Sequence, residues 1–255
     1  MKLKTGILAL RNLRQHSHGW CPICGRRSMF LQLHGGSLRE GLRCVGCAGV
    51  SRKRHVAAVL VAELGMPRAS VRAAHASHPC RVHSTEAAGP LAAALAGRPG
   101  FSSSDLVPGV ELGTELAPWS TCQDLERLTF ADDSIDVVIT EDVLEHVRRT
   151  DAVFAEIARV LAPGGRHIFT IPFRPDAPTL VRVDTTGADD VHLLPAEYHG
   201  DPIRGQILAY RTFGYDLFPQ LDRHGFRTRW LTSGRPEARM GIYDSNVFVS
   251  TLIGR

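Results

Sequence analysis

The stretch that decides the fold runs from Cys122 to Phe173: CQDLERLTFADDSIDVVITEDVLEHVRRTDAVFAEIARVLAPGGRHIFTIPF. Within it, IDVVITED (Ile135–Asp142) is an apolar run ending in acids, the pattern of a buried strand. TDAVFAEIARVLAPGG then sets Val153, Phe154, Ile157, Val160 and Leu161 on one helical face, and Pro163-Gly164-Gly165 stops it. RHIFTIPF (Arg166–Phe173) is a second buried strand. A strand, a crossing helix and another strand make the repeating unit of a parallel sheet.

Working outward, the same alternation holds on both sides. CRVHST (Cys80–Thr85) reads as a strand, PLAAALAG as a helix, and GFSSSD and WSTCQD as two weaker strands. GYDLFPQLDRHGF reads as a helix with one proline, and NVFVSTLI as a closing strand. The expected class is α/β, a Rossmann-like, doubly wound and mostly parallel sheet, preceded by a small N-terminal zinc-ribbon module. Residues 1–55 form the N-terminal segment and ribbon, 56–79 a helix and linker, and 80–255 the α/β domain. The stretch from 174 to 210, rich in Pro, Gly, Asp and His, breaks the rhythm and is expected to lie over the carboxyl edge of the sheet, where such folds bind ligands.

Composition bounds the class. A chain of 255 residues with 44% hydrophobic and 22% charged residues is ordinary for a globular protein. No run of about 18 apolar residues marks a membrane span, and the apolar run from Gly6 to Leu10 is short for a secretory signal. A cytoplasmic protein with no membrane partner is expected. The net charge of +4 is unevenly spread, because residues 1–55 hold eleven Lys/Arg against the single acid Glu40. A basic head on an acidic body points either to an acidic partner or to simple solubility.

Four of the six cysteines fall in CPIC (Cys21, Cys24) and CVGC (Cys44, Cys47). A two-residue gap lets one turn present two thiolates to one ion, and two such turns complete a tetrahedral Zn2+ site. The alternatives are two disulfides or four unrelated thiols. Reducing surroundings disfavour the first and the paired spacing disfavours the second. Four thiolates leave no open position, so the expected role is structural. Gly25 and Gly46 sit beside or within the two turns, and Cys80 and Cys122 are expected to be packed as small apolar residues.

The stretch from Cys122 to Phe173 resembles the centre of a class I S-adenosylmethionine-dependent methyltransferase of the type 11 kind. The likeness rests on an acid-Leu pair, then LTFADDSIDVV, EDVLEHV and EIARVLAPGG, in that order. The chain is also similar to a subgroup in which a zinc ribbon precedes the catalytic domain. The resemblance implies that Asp124 accepts from the adenine amino group and Leu125 flanks the ring, while Glu141 and Asp142 face the sulfonium end. It implies further that Asp105 holds the ribose hydroxyls, since a carboxylate can accept from both. Turn composition around Asp105, and an N-cap role for Asp124, are the plainer readings of those two residues.

In such proteins the first strand leads into an acid and a Gly-x-Gly turn. Here STEAAGP supplies Glu86, Ala87, Ala88 and Gly89. Alanine disfavours positive φ, so any left-handed position falls to Gly89. Glu86, Ala87 and Gly89 are then the candidates for the methionine side of S-adenosylmethionine. His146 is the candidate base for a hydroxyl acceptor, or else a residue that caps the short helix. His192, Glu197, Tyr198 and His199 are candidates to line an acceptor pocket. Arg211 and Tyr215 either position an acceptor or belong to surface or core. The expected function is methylation of a small-molecule or saccharide acceptor. RNA comes second, since only Trp20 and Phe30 in the basic head offer stacking rings. A binding module with a decayed cofactor pocket comes third.

Overall fold

The computed structural model describes residues 15–32, 36–201 and 205–254. The apolar run Gly6–Leu10 lies outside these. The chain divides into two compact units. One comprises residues 1–80, 88–101 and 230–247, and the other comprises 81–87, 102–229 and 248–255.

The first unit carries the cysteines. Strands β1 (Gln15–Cys21), β2 (Arg26–Gln32) and β3 (Arg43–Cys44) form an antiparallel three-stranded sheet. Helices α1 (Ser51–Glu63), α2 (Val71–Ser77) and α3 (Pro90–Leu95) follow. Ser70 caps α2 by accepting from the Ala73 amide, and Pro90 opens α3, where its missing N–H costs nothing. At the centre lies Arg54, fully buried, with its guanidinium 4.1 Å from the Phe30 ring centroid. It donates to the carbonyls of Gly49, Met240 (2.8 Å) and Gly241 (2.6 Å). Gly241 is required there: its φ is +65°, and a Cβ would stand 2.3 Å from the Phe30 ring.

The second unit is built on a mixed sheet. Its strands are β4 (Val82–Ser84), β5 (Phe101–Asp105), β6 (Glu115–Ala117), β7 (Ser120–Cys122), β8 (Ile135–Glu141) and β9 (Leu161–Thr170). Short strands β10 (Phe173–Arg174), β11 (Leu180–Val181), β12 (Val183–Asp184), β13 (Val191–His192), β14 (Tyr198–Asp201), β15 (Gly205–Leu208) and β16 (Arg211–Gly214) follow. Strands β17 (Phe226–Thr232), which begins in this unit, and β18 (Asn246–Leu252), which ends in it, complete the set. The main sheet has the order β17-β18-β9-β8-β4-β5-β7-β6. Strands β4, β8 and β9 run parallel, as do β5 and β7, whereas β18 against β9 and β6 against β7 are antiparallel.

Helices α4 (Thr150–Val160) and α5 (Leu217–Arg223) bury one apolar face each. Val153, Phe154, Ile157 and Val160 are fully buried with Phe169, Leu217, Leu221 and Phe248. Each such side chain contributes about 1.5–3 kcal/mol by leaving water. Pro219 lies in the first turn of α5, where its ring meets no preceding helical carbonyl.

The sequence reading of a regular double winding needs adjustment in two places. Among the described residues, no helix separates β5 from β8; side-chain bonds order that stretch instead. Arg159 donates to the carbonyls of Leu128 (2.9 Å) and Phe130 (2.8 Å), Glu156 accepts from the Leu128 amide, and Gln123 accepts from the Thr129 amide. Also, α4 ends at Val160, short of Pro163. The Pro163-Gly164-Gly165 sequence forms a bulge inside β9, where the register against β8 shifts after Leu161.

Two histidines are buried in this sheet. His83 lies between the hydroxyls of Ser102 (2.9 Å) and Ser104 (3.0 Å), and His167 lies against Thr140 (2.9 Å). Burial pushes the His83 imidazole down to about 4 and that of His167 down to about 3. The unfolded chain therefore binds protons that the native state refuses, and stability falls as pH drops below the ordinary histidine value. Each residue is expected to cost about 2 kcal/mol between pH 6.5 and pH 5. Urea midpoints across that range should fall steeply, and His167→Gln should make the fall shallower; a flat profile would contradict the assignment.

Candidate functional site

In the first unit, Gly25 (φ +68°) and Ala48 (φ +59°) are both left-handed, each directly after the second cysteine of its pair. Their amides donate to the carbonyls of Cys21 (2.9 Å) and Cys44 (2.8 Å), so the two turns repeat one geometry. Ala48, not Gly46, is the left-handed residue of the second turn, at a strain of about 1 kcal/mol. All four sulfurs lie within 4.8 Å of one another, and no two of the cysteines are joined. Cys21 and Cys47 Sγ are 3.7 Å apart, and Cys24 and Cys44 Sγ are 3.9 Å apart. A tetrahedron with Zn–S bonds of about 2.3 Å has an edge of about 3.8 Å, so the cluster has the size and donor chemistry for that ion. Cys44 is held well below the ordinary thiol range by its hydrogen bonds with Cys21 and Cys47. Cys122 is buried, as expected of a packed thiol, and Cys80 is half-buried.

In the second unit, the candidate cofactor acids sit at or just past strand ends. Asp105 closes β5, in register with Cys122 of β7, and its carbonyl accepts from the Gln123 amide (3.0 Å). Asp124 accepts from the Glu126 amide (2.9 Å) in a turn, with no helix after it to cap. Leu125 packs into the core beside Leu128 and Ile135. Glu86 follows β4, where its amide donates to Ser84 Oγ (3.3 Å), and Ala87 is the next residue. No residue from Thr85 to Gly89 has a positive φ. Gly89 belongs to the first unit, where it precedes α3 at φ −81° in backbone open to any residue. No left-handed position arises in this loop, so none falls to Gly89, and alanine in the flanking positions carries no conformational cost.

At the end of β8, Glu141 is buried and Asp142 takes a left-handed φ of +52°. The Asp142 amide donates to the Thr170 carbonyl (3.0 Å), and Thr170 Oγ1 donates to Asp142 Oδ1 (2.8 Å). The chain then enters a single 3-10 turn, Leu144–His146. Arg211 holds this turn from β16, donating to the carbonyls of Val147 (2.7 Å) and Arg148 (2.9 Å). Its guanidinium is occupied with backbone and serves the fold. Tyr215 is exposed.

The hairpin of β14 and β15 meets the turn. His146 Nδ1 donates to the Leu208 carbonyl (2.8 Å), and the His146 and His199 rings stand edge to face at 4.9 Å. Between them lies Glu145, fully buried, neither of whose carboxylate oxygens has a hydrogen-bond partner. Glu145 Oε1 is 3.7 Å from both His146 Nε2 and His199 Nδ1. His199 Nε2 donates to Glu197 Oε1 (3.2 Å), and Glu197 also pairs with Arg182. The Glu145 carboxylate first, and Glu197 after it, push the His199 imidazole up to about 9. His192 and Tyr198 are exposed. Of the residues around this centre, sequence reasoning missed Glu145 as a site residue; its only signal was an acid set between Leu144 and His146.

A separate cleft of about 530 Å³, lined by Asp132, Arg159, Arg223 and His224, lies beside α4 and α5 and contains none of these residues. Among the described residues no helix is long and apolar enough to cross a membrane.

The family described as Methyltransferase domain matches residues 104–169. No curated protein matches the chain. Among solved structures, an S-adenosylmethionine-dependent methyltransferase from Mesorhizobium loti aligns with a TM-score of 0.41 at 19% identity, covering 68% of this chain and 90% of its own. A SAM-dependent methyltransferase from Methanosarcina mazei aligns with a TM-score of 0.41 at 15% identity, covering 68% and 92%. The glycopeptide N-methyltransferase MtfA, solved with S-adenosylmethionine, gives 0.41 at 15%, covering 68% and 86%. The matched segment from Ser104 to Phe169 contains Asp105, Asp124, Glu141, Asp142, Glu145 and His146, and there the chain has an α/β, methyltransferase-like fold.

Proposed function

We propose that the protein is an S-adenosylmethionine-dependent methyltransferase with a structural zinc in its N-terminal ribbon, acting on a small-molecule or saccharide acceptor. The observation that carries this reading is the set of acids at the carboxyl ends of β5, β7 and β8 within the family-matched segment. In this reading the sheet is Rossmann-like, Asp105 binds the ribose hydroxyls, and Asp124 with the backbone at Leu125 meets the adenine. Glu86 and Ala87 lie on the methionine side, and Glu141 and Asp142 at the sulfonium. The bound cofactor supplies the electrophilic methyl group, so the protein's part is to align donor and acceptor and to exclude water. This reading assigns His146, in the turn after β8, to the acceptor. In this reading the setting is cytoplasmic, where thiols stay reduced and available to zinc.

Calorimetric titration of the zinc-loaded chain with S-adenosylmethionine should show one saturable site, and Asp105→Ala should weaken it at least tenfold. The loss of two hydrogen bonds to a charged acceptor, about 1.5–3 kcal/mol each, sets that scale. A folded sample without detectable binding would overturn the reading.

For the ribbon, metal analysis should find one zinc per chain. Cys44→Ser should lose most of it and melt at lower temperature, since structural zinc contributes directly to folding. Full metal content in that variant would refute the zinc assignment.

A further inference from the structure

A fully buried carboxylate with no partner costs several kcal/mol unless it is protonated or meets a cation. Glu145 makes no hydrogen bond through either oxygen, and its nearest partners are two imidazoles at ion-pair distance. At 3.7 Å, His146 Nε2 and His199 Nδ1 stand beyond hydrogen-bonding distance of Glu145 Oε1. That separation is close to the spacing of ligand atoms around a metal ion. Donors about 2.1 Å from one ion lie about 3.0–3.4 Å from each other, and the ligand atoms of these three residues all fall within 4.8 Å.

The outer contacts also suit a metal centre. His146 Nδ1 is bound to the Leu208 carbonyl, which can only accept, so the Nδ1 carries the hydrogen and Nε2 presents its lone pair. His199 Nε2 is bound to the Glu197 carboxylate, so a cation can take the place of the proton on Nδ1. A ligating histidine whose other nitrogen donates to a carbonyl or carboxylate is the usual second layer of a metal site; it fixes the ring and raises its basicity. Glu197 is itself held by Arg182.

We propose that Glu145, His146 Nε2 and His199 Nδ1 form a binding site for a divalent first-row transition cation, distinct from the four-cysteine cluster. Two imidazoles and one carboxylate favour Mn2+, Fe2+, Co2+ or Zn2+ over Mg2+ or Ca2+, which prefer all-oxygen shells. Three protein ligands leave coordination positions open for water or for an oxygen of a bound molecule. The site rests on the geometry of this unit alone and holds whether or not the protein binds S-adenosylmethionine.

The test is a titration of the full zinc-loaded chain with Mn2+ alone, read by the loss of the free-ion signal in electron paramagnetic resonance. Mn2+ is chosen because four thiolates hold zinc far more tightly, so the ribbon does not compete. One equivalent should bind saturably and raise the melting temperature. Glu145→Gln and His199→Ala should each weaken binding at least tenfold, as should Glu197→Gln through its hold on His199. His78→Ala, at an exposed histidine, should leave binding unchanged. Glu145→Gln keeps the side-chain volume, and circular dichroism should show that variant folded, so that lost binding reports the lost ligand. A folded wild-type chain that binds no Mn2+, or binding that survives both Glu145→Gln and His199→Ala, overturns the proposal.

Discussion

The exit of the chain from β8 depends on one reciprocal pair. Thr170 accepts from the Asp142 amide and donates to the Asp142 carboxylate, and this holds a non-glycine residue in left-handed backbone. Such a conformation costs of order 1–3 kcal/mol and persists only where its surroundings fix it. The Thr170 side chain is fully buried in β9, the neighbour of β8, so the clamp is part of the sheet. It turns the chain sharply enough for Leu144–His146 to form a single 3-10 turn in place of a continued strand. Arg211 then fixes the far end of that turn by its carbonyls. Glu141, Asp142, Glu145 and His146 are thereby presented within six residues, on backbone that has little freedom left.

The first unit is organised around a positive charge in the same way that the second is organised around a negative one. Burial pushes the Arg54 guanidinium down to about 10, and the four cysteine sulfurs act against that shift. Four thiolates around a divalent cation carry a net charge of −2, so a buried guanidinium beside them is electrostatically favoured. Arg54 is also the tie for segments distant in sequence, since its bonds reach Gly49 on one side and Met240 and Gly241 on the other. Ser51 repeats the tie, accepting from the Tyr243 amide (2.7 Å) and donating to its carbonyl (2.8 Å).

The sequence made the main strands and α4 legible because long apolar runs and helical spacing are local signals. The cysteine cluster was legible for the same reason, as two short motifs that need only meet. Three features were not. The bulge at Pro163-Gly164-Gly165 reads locally as a helix stop and becomes part of β9 only through its pairing with β8. Gly89 offered the one place for a left-handed residue in its loop, yet the chain there stays at ordinary φ, so the glycine marked no special backbone. The burial of Glu145 is set by a hairpin more than fifty residues later, whose polar sequence gave no strand signal. A lone acid beside a histidine looks like a solvated turn until the element that covers it is known.

These features bear on one claim, that the acids at the strand ends of the second unit bind S-adenosylmethionine. The most direct measurement is a crystal structure of the protein soaked with S-adenosylhomocysteine. The account predicts density whose ribose hydroxyls lie within hydrogen-bonding distance of the Asp105 carboxylate, with the adenine beside Asp124. Density in the cleft beside α4 and α5, or a ribose remote from Asp105 in a fully occupied complex, would contradict it.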